Sequence, residues 1–287
     1  MFNQLLINGL IAGAIYALLA SRFSLIYSIC KFVHFAHGAV IAVAAYILYA
    51  LFSLLGMNFW LAVILTIILI SIFGLVMNLV YKQLRKRKAS NVILLIASFA
   101  LLILIESLIL LFFGADVKTI GFIKIAKGLE ILGAIITPLQ IFIVISSFIL
   151  FVLLFFLMKR TKIGKAMRAV SDNKDVAEIV GISSERIYMW AFIIGSAIAG
   201  VGGILIALEQ NLEPMMGTHL IIKGFTAAII GGIGNIPGAI LGAFLLGFSE
   251  NFGIWFLPSG YKDAIAFIIL FIFLLFRPQG ILGIRKK

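Results

Sequence analysis

GFTAAIIGGIGNIPGAILGAF, residues 224–244, sets six glycines and a proline inside a long, mostly apolar run. Lipid offers no partner for exposed backbone, so a membrane span keeps its N–H and C=O groups within its own helix. Pro237 removes one donor and disfavours helical geometry at Ile236. Non-helical backbone at membrane depth persists only where protein buries it or water lines it. The stretch therefore predicts one of two things. Either it is a broken or re-entrant helix pair, which in transporters presents half-helix ends and free carbonyls to a solute, or it is a short cytoplasmic turn between two ordinary spans.

The rest of the chain favours the first. Of its 287 residues 63% are hydrophobic and only 12% charged, which requires the bilayer as solvent. Long apolar runs lie near 5–29, 37–55, 59–81, 91–113, 138–158, 187–208 and 236–257, and shorter ones near 219–233 and 261–276. They are too long and too continuously apolar for the strands of an outer-membrane barrel. The opening MFNQLLINGL lacks a positive n-region and reads as a retained first span. A single cysteine, Cys30, leaves no internal disulfide and no cysteine-based metal cluster.

The net charge of +12 is gathered rather than spread, which argues against nucleic acid. KQLRKRK (82–88) holds five Lys/Arg, KRTKIGKAMRAVSDNK (159–174) six and RPQGILGIRKK (277–287) four. The positive-inside rule puts all three in the cytoplasm, while loops 114–137 and 209–218, with Asp116, Glu130, Glu209 and Glu213, suit the outside. The N-terminus is then outside and the C-terminus inside. A single crossing by 219–257 would throw the basic tail outside, and fifteen residues of helix reach only about 22 Å. The expectation is an all-α polytopic transmembrane bundle of about eight membrane segments, including a broken or re-entrant Gly-rich pair. No low-complexity linker divides it, so residues 1–287 read as a single transmembrane domain.

Three ridges of small residues recur at four-residue spacing: Gly9/Gly13/Ala17, Gly195/Ala199/Gly203/Ala207 and Gly234/Gly238/Gly242. Such ridges let helix backbones approach closely in lipid, and the first two read as packing alone. Ionisable groups within spans default to functional hypotheses. Glu106 either pairs with Arg22 or lines a pathway, and Glu250 braces or caps the helix after the glycine break. His34 and His37 read as interfacial hydrogen-bonders before proton relays, and Lys31, Lys223 and Arg277 as snorkelling side chains.

No catalytic or metal-binding constellation emerges, and no cofactor site. The chain carries no GxxxxGK[ST] phosphate loop and neither HExxH nor GxSxG, so enzymatic chemistry of its own is not expected. Residues 159–186 form the longest inside loop. Ile163, Met167 and Val170, then Val176, Ile179 and Val180, fall at helical spacings, with Asp172 and Asn173 placed to break or cap between two short helices. Such helices lie on lipid or insert into a partner's groove. Asp172, Asp175 and Glu178 would be repelled by anionic lipid, which favours a docking helix for a soluble partner.

Three blocks, YSICKFVHFAHG (27–38), the loop from Lys159 to Ile182 and the Gly-rich stretch 224–250 ending in Glu250, resemble the permease subunits of branched-chain amino acid ABC importers, LivH-type, nearly end to end. The first block departs from the family's pattern at Ser28, Lys31 and His34, as does Arg22. The resemblance implies a system of five polypeptides in a bacterial or archaeal cytoplasmic membrane. This chain, bathed in membrane lipid, pairs with a second permease (LivM-type, or a homodimer partner). Two ABC ATPase subunits drive the pair, and a periplasmic or extracellular solute-binding protein feeds it. It implies import, and an ATPase-coupling role for Gly164, Met167, Arg168, Val170, Asp172, Val176, Ala177, Ile179, Val180 and Gly181. Phe35, His37 and Gly38 with Gly231, Gly232, Gly234 and Asn235 are the expected pathway wall, and Arg22, Glu106 and Glu250 the intramembrane polar set. Alternatives are a urea or amide permease of the same family, a stand-alone proton-coupled transporter using Glu106, Glu250 or His37, and a non-transporting membrane scaffold.

Overall fold

Capping residues and charge set where each helix begins and ends. In the computed structural model, which describes residues 1–122, 128–131 and 133–283, α1 runs Phe2–Cys30 and α2 His37–Tyr49, prolonged by a π-helical turn Ala50–Leu54. Asn58 accepts the Trp60 and Leu61 amides to start α3 (Phe59–Lys86), which ends on Arg85 and Lys86, cations placed against the negative helix end. Ser90 caps α4 (Asn91–Phe113) through the Ile93 amide. A short hairpin of β1 (Leu129–Ile131) and β2 (Ala134–Ile136) pairs antiparallel with Glu130 opposite Ile135. This departs from the plain loop expected over 114–137: the β-branched isoleucines suit a pleated pair. Residues 123–127 and 132 of that loop lie outside the described residues.

The second half comprises α5 (Pro138–Arg160), α6 (Lys162–Asp172), α7 (Lys174–Ile179), α8 (Ser184–Glu209), α9 (Met216–Gly231), α10 (Ile236–Gly253), a 3-10 turn Ser259–Tyr261 and α11 (Lys262–Phe276). Seven of the described helices are long and apolar enough to cross a membrane, and α9 and α10 form one further pair bent by 114° at the glycine break. The all-α bundle with a broken pair is what the sequence predicts.

The chain divides into two compact units. One comprises Met1–Ser24, Ile123–Ile149 and Ile222–Lys287, the other Leu25–Phe122 and Leu150–Ile221. In the second of these, α2 packs on α3, α4 and α8, and α3 lies along α8. Val40, Ala44, Ile70 and Ala199 are its buried centre. A side-chain carbon at Gly203 would lie 2.6 Å from the Ile41 carbonyl, so α8 and α2 touch backbone to backbone. In the first unit the ridge Gly9/Gly13 of α1 meets α10: carbons there would lie 2.6 Å from the Phe248 and Phe244 rings. Both ridges are therefore packing surfaces, since in lipid close van der Waals approach replaces the hydrophobic drive.

Candidate functional site

The break between α9 and α10 finds partners for the carbonyls that end α9. A helix end leaves its last carbonyls without intrahelical donors, and in lipid such groups need partners. The Gly232 amide donates to the Ala228 and Ile229 carbonyls at 2.9 and 3.1 Å, and the Asn235 amide to the Gly232 carbonyl at 3.1 Å. The two carbonyls between are met from far along the chain: Ile281 donates to Ile230 and Leu282 to Gly231, each at 2.9 Å. Gly232 and Gly234 turn the chain with φ of +111° and +85°, a region open to glycine. Asn235 is employed at both ends of its amide, Oδ1 accepting the Gly238 amide at 3.1 Å to cap α10 and Nδ2 donating to the Leu282 carbonyl at 2.8 Å. Pro237 sits in the first turn, where a missing N–H goes unused. The structure thus brings the expected Gly231, Gly232, Gly234 and Asn235 together at one turn, with residues of the C-terminal tail over them, a cover that sequence reasoning missed.

Phe35, His37 and Gly38 gather in the other unit. Phe35 stacks on Phe99 with centroids 4.4 Å apart, and its amide donates to Ser98 Oγ at 3.2 Å. Gly38, in the first turn of α2, meets Gly217 of α9 so closely that a side-chain carbon at Gly217 would lie 2.6 Å from the Gly38 carbonyl. Next to this contact Glu106 reaches from α4 to the first turn of α9, where its Oε1 accepts the Thr218 amide at 3.0 Å and the Thr218 hydroxyl at 2.8 Å. A carboxylate at a helix N-terminus satisfies an orphan donor and matches the dipole. Glu106 thus serves as a cap lent by a neighbouring helix. His34 lies among Phe32, Tyr81, Phe192 and His37, its Nδ1 2.9 Å from the Tyr81 hydroxyl.

Glu250, 1% exposed, is held by partners on neighbouring helices. Tyr16 Oη donates to its Oε2 at 2.7 Å, and Lys223 Nζ forms an ion pair with its Oε1. Lys223 also lies 2.7 Å from Asp263 Oδ1. This corrects the reading of Lys223 as a snorkelling side chain: a carboxylate as buried as Glu250 draws the cation inward, because an unpaired charge there is expensive. Two complementary charges in neighbouring apolar runs were the available signal. Arg22 is fully buried in α1.

The loop 159–186 folds as the two short helices that its periodicity predicts. Thr161 Oγ1 caps α6 by accepting the Gly164 amide at 3.0 Å, and Asn173 Oδ1 caps α7 by accepting Asp175 and Val176 amides at 3.0 and 3.1 Å. The ten expected coupling residues divide by environment. Gly164, Met167, Val170 and Ala177 are buried and root the helices. Arg168, Asp172 and Gly181 are exposed, as are Val176, Ile179 and Val180 at 54, 83 and 68%. Gly181, at φ +87°, ends α7. The loop stands on a fixed base: Arg85 grips Glu185 with two bonds of 3.0 Å, bonds Asn78 at 3.1 Å and lies 4.6 Å over the Tyr188 ring.

Comparison with known proteins places these features in a family context. Residues 5–274 match the family described as branched-chain amino acid transport system / permease component. The high-affinity branched-chain amino acid transport system permease protein BraD of Pseudomonas aeruginosa is 34% identical, over 98% of this chain and 96% of that protein. The corresponding permease protein LivH of Salmonella typhimurium is 32% identical over the same shares. Among solved structures, PsaBC from Streptococcus pneumoniae in complex with Fab has a TM-score of 0.51 at 14% identity, covering 95% of this chain and 91% of that one, a likeness of fold alone.

Proposed function

The chain belongs to the permease family of branched-chain amino acid transport systems, and from that premise we propose that it forms half of the pathway of an ATP-driven importer of branched-chain or similarly hydrophobic amino acids. It is a multi-pass membrane protein and a permease component. In this reading hydrolysis belongs to two partner ATPase subunits, a second permease completes the pathway, and a solute-binding protein delivers the amino acid from outside. The N-terminus is outside and the C-terminus cytoplasmic in a bacterial or archaeal cytoplasmic membrane, as the three basic clusters favour.

The observation that carries the proposal is α7. Its Val176 and Ile179, with Val180 just beyond, stand exposed on a helix too short and too acidic to be a span, while Ala177 on its other side is buried. An apolar face beside acids suits a partner's groove better than anionic lipid, and an ATPase subunit is the partner that this family's transport requires. The residues proposed to meet the solute are Phe35, His37 and Gly38, and Gly231, Gly232, Gly234 and Asn235, whose backbone groups would receive a zwitterion.

The test is a pull-down from native membranes paired with uptake in vesicles. Val176→Asp with Ile179→Asp is expected to release the ATPase and abolish ATP-driven leucine uptake while leaving the thermal midpoint near wild type, since exposed substitutions typically act within about 0.5 kcal/mol. Retention of the ATPase by this variant overturns the docking assignment. Uptake driven by a proton gradient in the isolated chain, lost in Glu106→Gln, would favour a secondary transporter instead.

A further inference from the structure

Two carbonyls that the broken helix would offer to a solute, those of Ile230 and Gly231, are already taken, and the chain itself takes them. Residues 277–283, RPQGILG, follow α11 and turn back over the glycine break. The turn is closed by the Gly280 amide donating to the Arg277 carbonyl at 2.8 Å, with Gly280 at φ +78°. From there Ile281 and Leu282 donate to the Ile230 and Gly231 carbonyls, and the Leu282 carbonyl accepts from Asn235 Nδ2 at 2.8 Å. The approach is possible only because both sides are glycine. A side-chain carbon at Gly280 would collide with the Gly232 amide nitrogen, and one at Gly232 would lie 2.7 Å from the Gly283 nitrogen.

We propose that Arg277–Gly283 is a strap that closes the α9–α10 break in this conformation and is released during the nucleotide cycle. Three features support it. The strap saturates the two carbonyls that no residue of the break itself reaches, so while it is docked the break has no free backbone acceptor among them for an ammonium group or water. Its attachment is almost wholly polar: Arg277, Pro278 and Leu282 are exposed, and only Gly280 is buried. A segment held by a few backbone hydrogen bonds with little apolar burial belongs to the low-stability end of a fold, from which moving elements are drawn. Finally, Asn235 joins the strap to the N-cap of α10 through one side chain, so undocking the strap and re-aiming the start of α10 are linked. The strap inference rests on the transport reading for its purpose but not for its measurement.

Hydrogen exchange resolves it. The full assembly, co-purified with its ATPase, is compared with and without a non-hydrolysable ATP analogue, following peptides that cover 277–283 and 228–235. In the resting wild type both are protected, and the analogue is expected to speed exchange of both at least tenfold. Gly280→Val, which forces a side chain against Gly232, is expected to remove that protection without nucleotide and to lower amino acid uptake per ATP hydrolysed several-fold. Asn235→Asp keeps the oxygen that caps α10 and replaces the donor to Leu282 with an acceptor that repels its carbonyl, so it frees the strap in a chain whose helix start is intact, even should Gly280→Val fail to fold. Strap amides equally protected in every nucleotide state overturn the proposal, as does wild-type protection in Asn235→Asp. The exchange readout needs no solute. An assembly that moves no amino acid yet frees the strap on nucleotide overturns the substrate reading and supports the strap, whereas normal uptake with a permanently protected strap overturns the strap alone.

Discussion

Removing Lys223 should damage the protein more than neutralising Glu250, although the two form one ion pair. The asymmetry follows from their other contacts. Glu250 is 1% exposed, and without Lys223 its carboxylate keeps, among the described residues, only the Tyr16 hydroxyl at 2.7 Å. Stranding a buried charge in this way typically costs about 3–5 kcal/mol. Lys223, with a side chain 13% exposed, still has Asp263 at 2.7 Å when Glu250 becomes Gln, and the amide oxygen remains an acceptor for Tyr16. That change loses one charge-assisted bond, about 1.5–3 kcal/mol. The double variant Lys223→Met with Glu250→Gln leaves no buried charge unpaired and should be more stable than Lys223→Met alone. Unfolding of the purified chain in mild detergent, followed by tryptophan fluorescence against a graded denaturant, yields the three differences and the coupling between them. Equal losses in the two single variants, or a double variant weaker than Lys223→Met, would refute the assignment of Lys223 as the counter-ion on which Glu250 depends.

Gly38→Val should lower the unfolding midpoint by an amount equivalent to about 1–3 kcal/mol or more, since any side chain there enters the Gly217 carbonyl; Gly260→Ala, with nothing within 4 Å of the added carbon, serves as the near-neutral control. Glu106→Leu strands the Thr218 amide and hydroxyl and should cost about 1–3 kcal/mol, whereas Glu106→Gln keeps an acceptor for both and should cost clearly less; identical thermal midpoints for the two would disprove the capping role.

Sequence alone was sufficient wherever a rule is local. Lipid-length apolar runs, the break or cap at Asp172 and Asn173, and the helical spacings of Ile163, Met167 and Val170 and of Val176, Ile179 and Val180 all act within a turn or two of the residue that carries them, so the spans and the loop's two short helices were legible. Pro237 with its flanking glycines announced the break for the same reason. What was illegible depends on contacts between distant segments. Nothing in RPQGILG distinguishes a cytoplasmic tail from a segment that supplies donors some fifty positions upstream, and Ile281 and Leu282 act through backbone atoms that every residue possesses. Lys223 was misread because a lysine near the end of an apolar run fits snorkelling equally well until Glu250 is seen beside it. The π-helical end of α2 and the β1–β2 hairpin left no comparable signal.

The packing also determines what a push on α7 can do. If an ATPase presses on Val176 and Ile179, the load passes to α8 through the buried Ala177 and through the Ser184–Glu178 hydrogen bond. From α8 it reaches α3 through the two Arg85–Glu185 bonds and the contact of Gly74 with Ser196, and α2 through Gly203 against the Ile41 carbonyl. Gly203 against Ile41 is a backbone-to-backbone contact, and close-packed interiors transmit strain rather than absorb it. Displacement at the loop is then expected to reach His37 and Gly38, because α2 carries both in its first turn. A flexible lysine-rich linker in place of α6 and α7 would dissipate the same force. On this reasoning Met167→Ala, which hollows out the root of α6 while leaving the exposed face of α7 untouched, should leave the ATPase bound but weaken the link between ATP hydrolysis and uptake. An equal loss of ATPase binding and of coupling in Met167→Ala would mean that the root and the docking face are one site, and the transmission route drawn here would not stand.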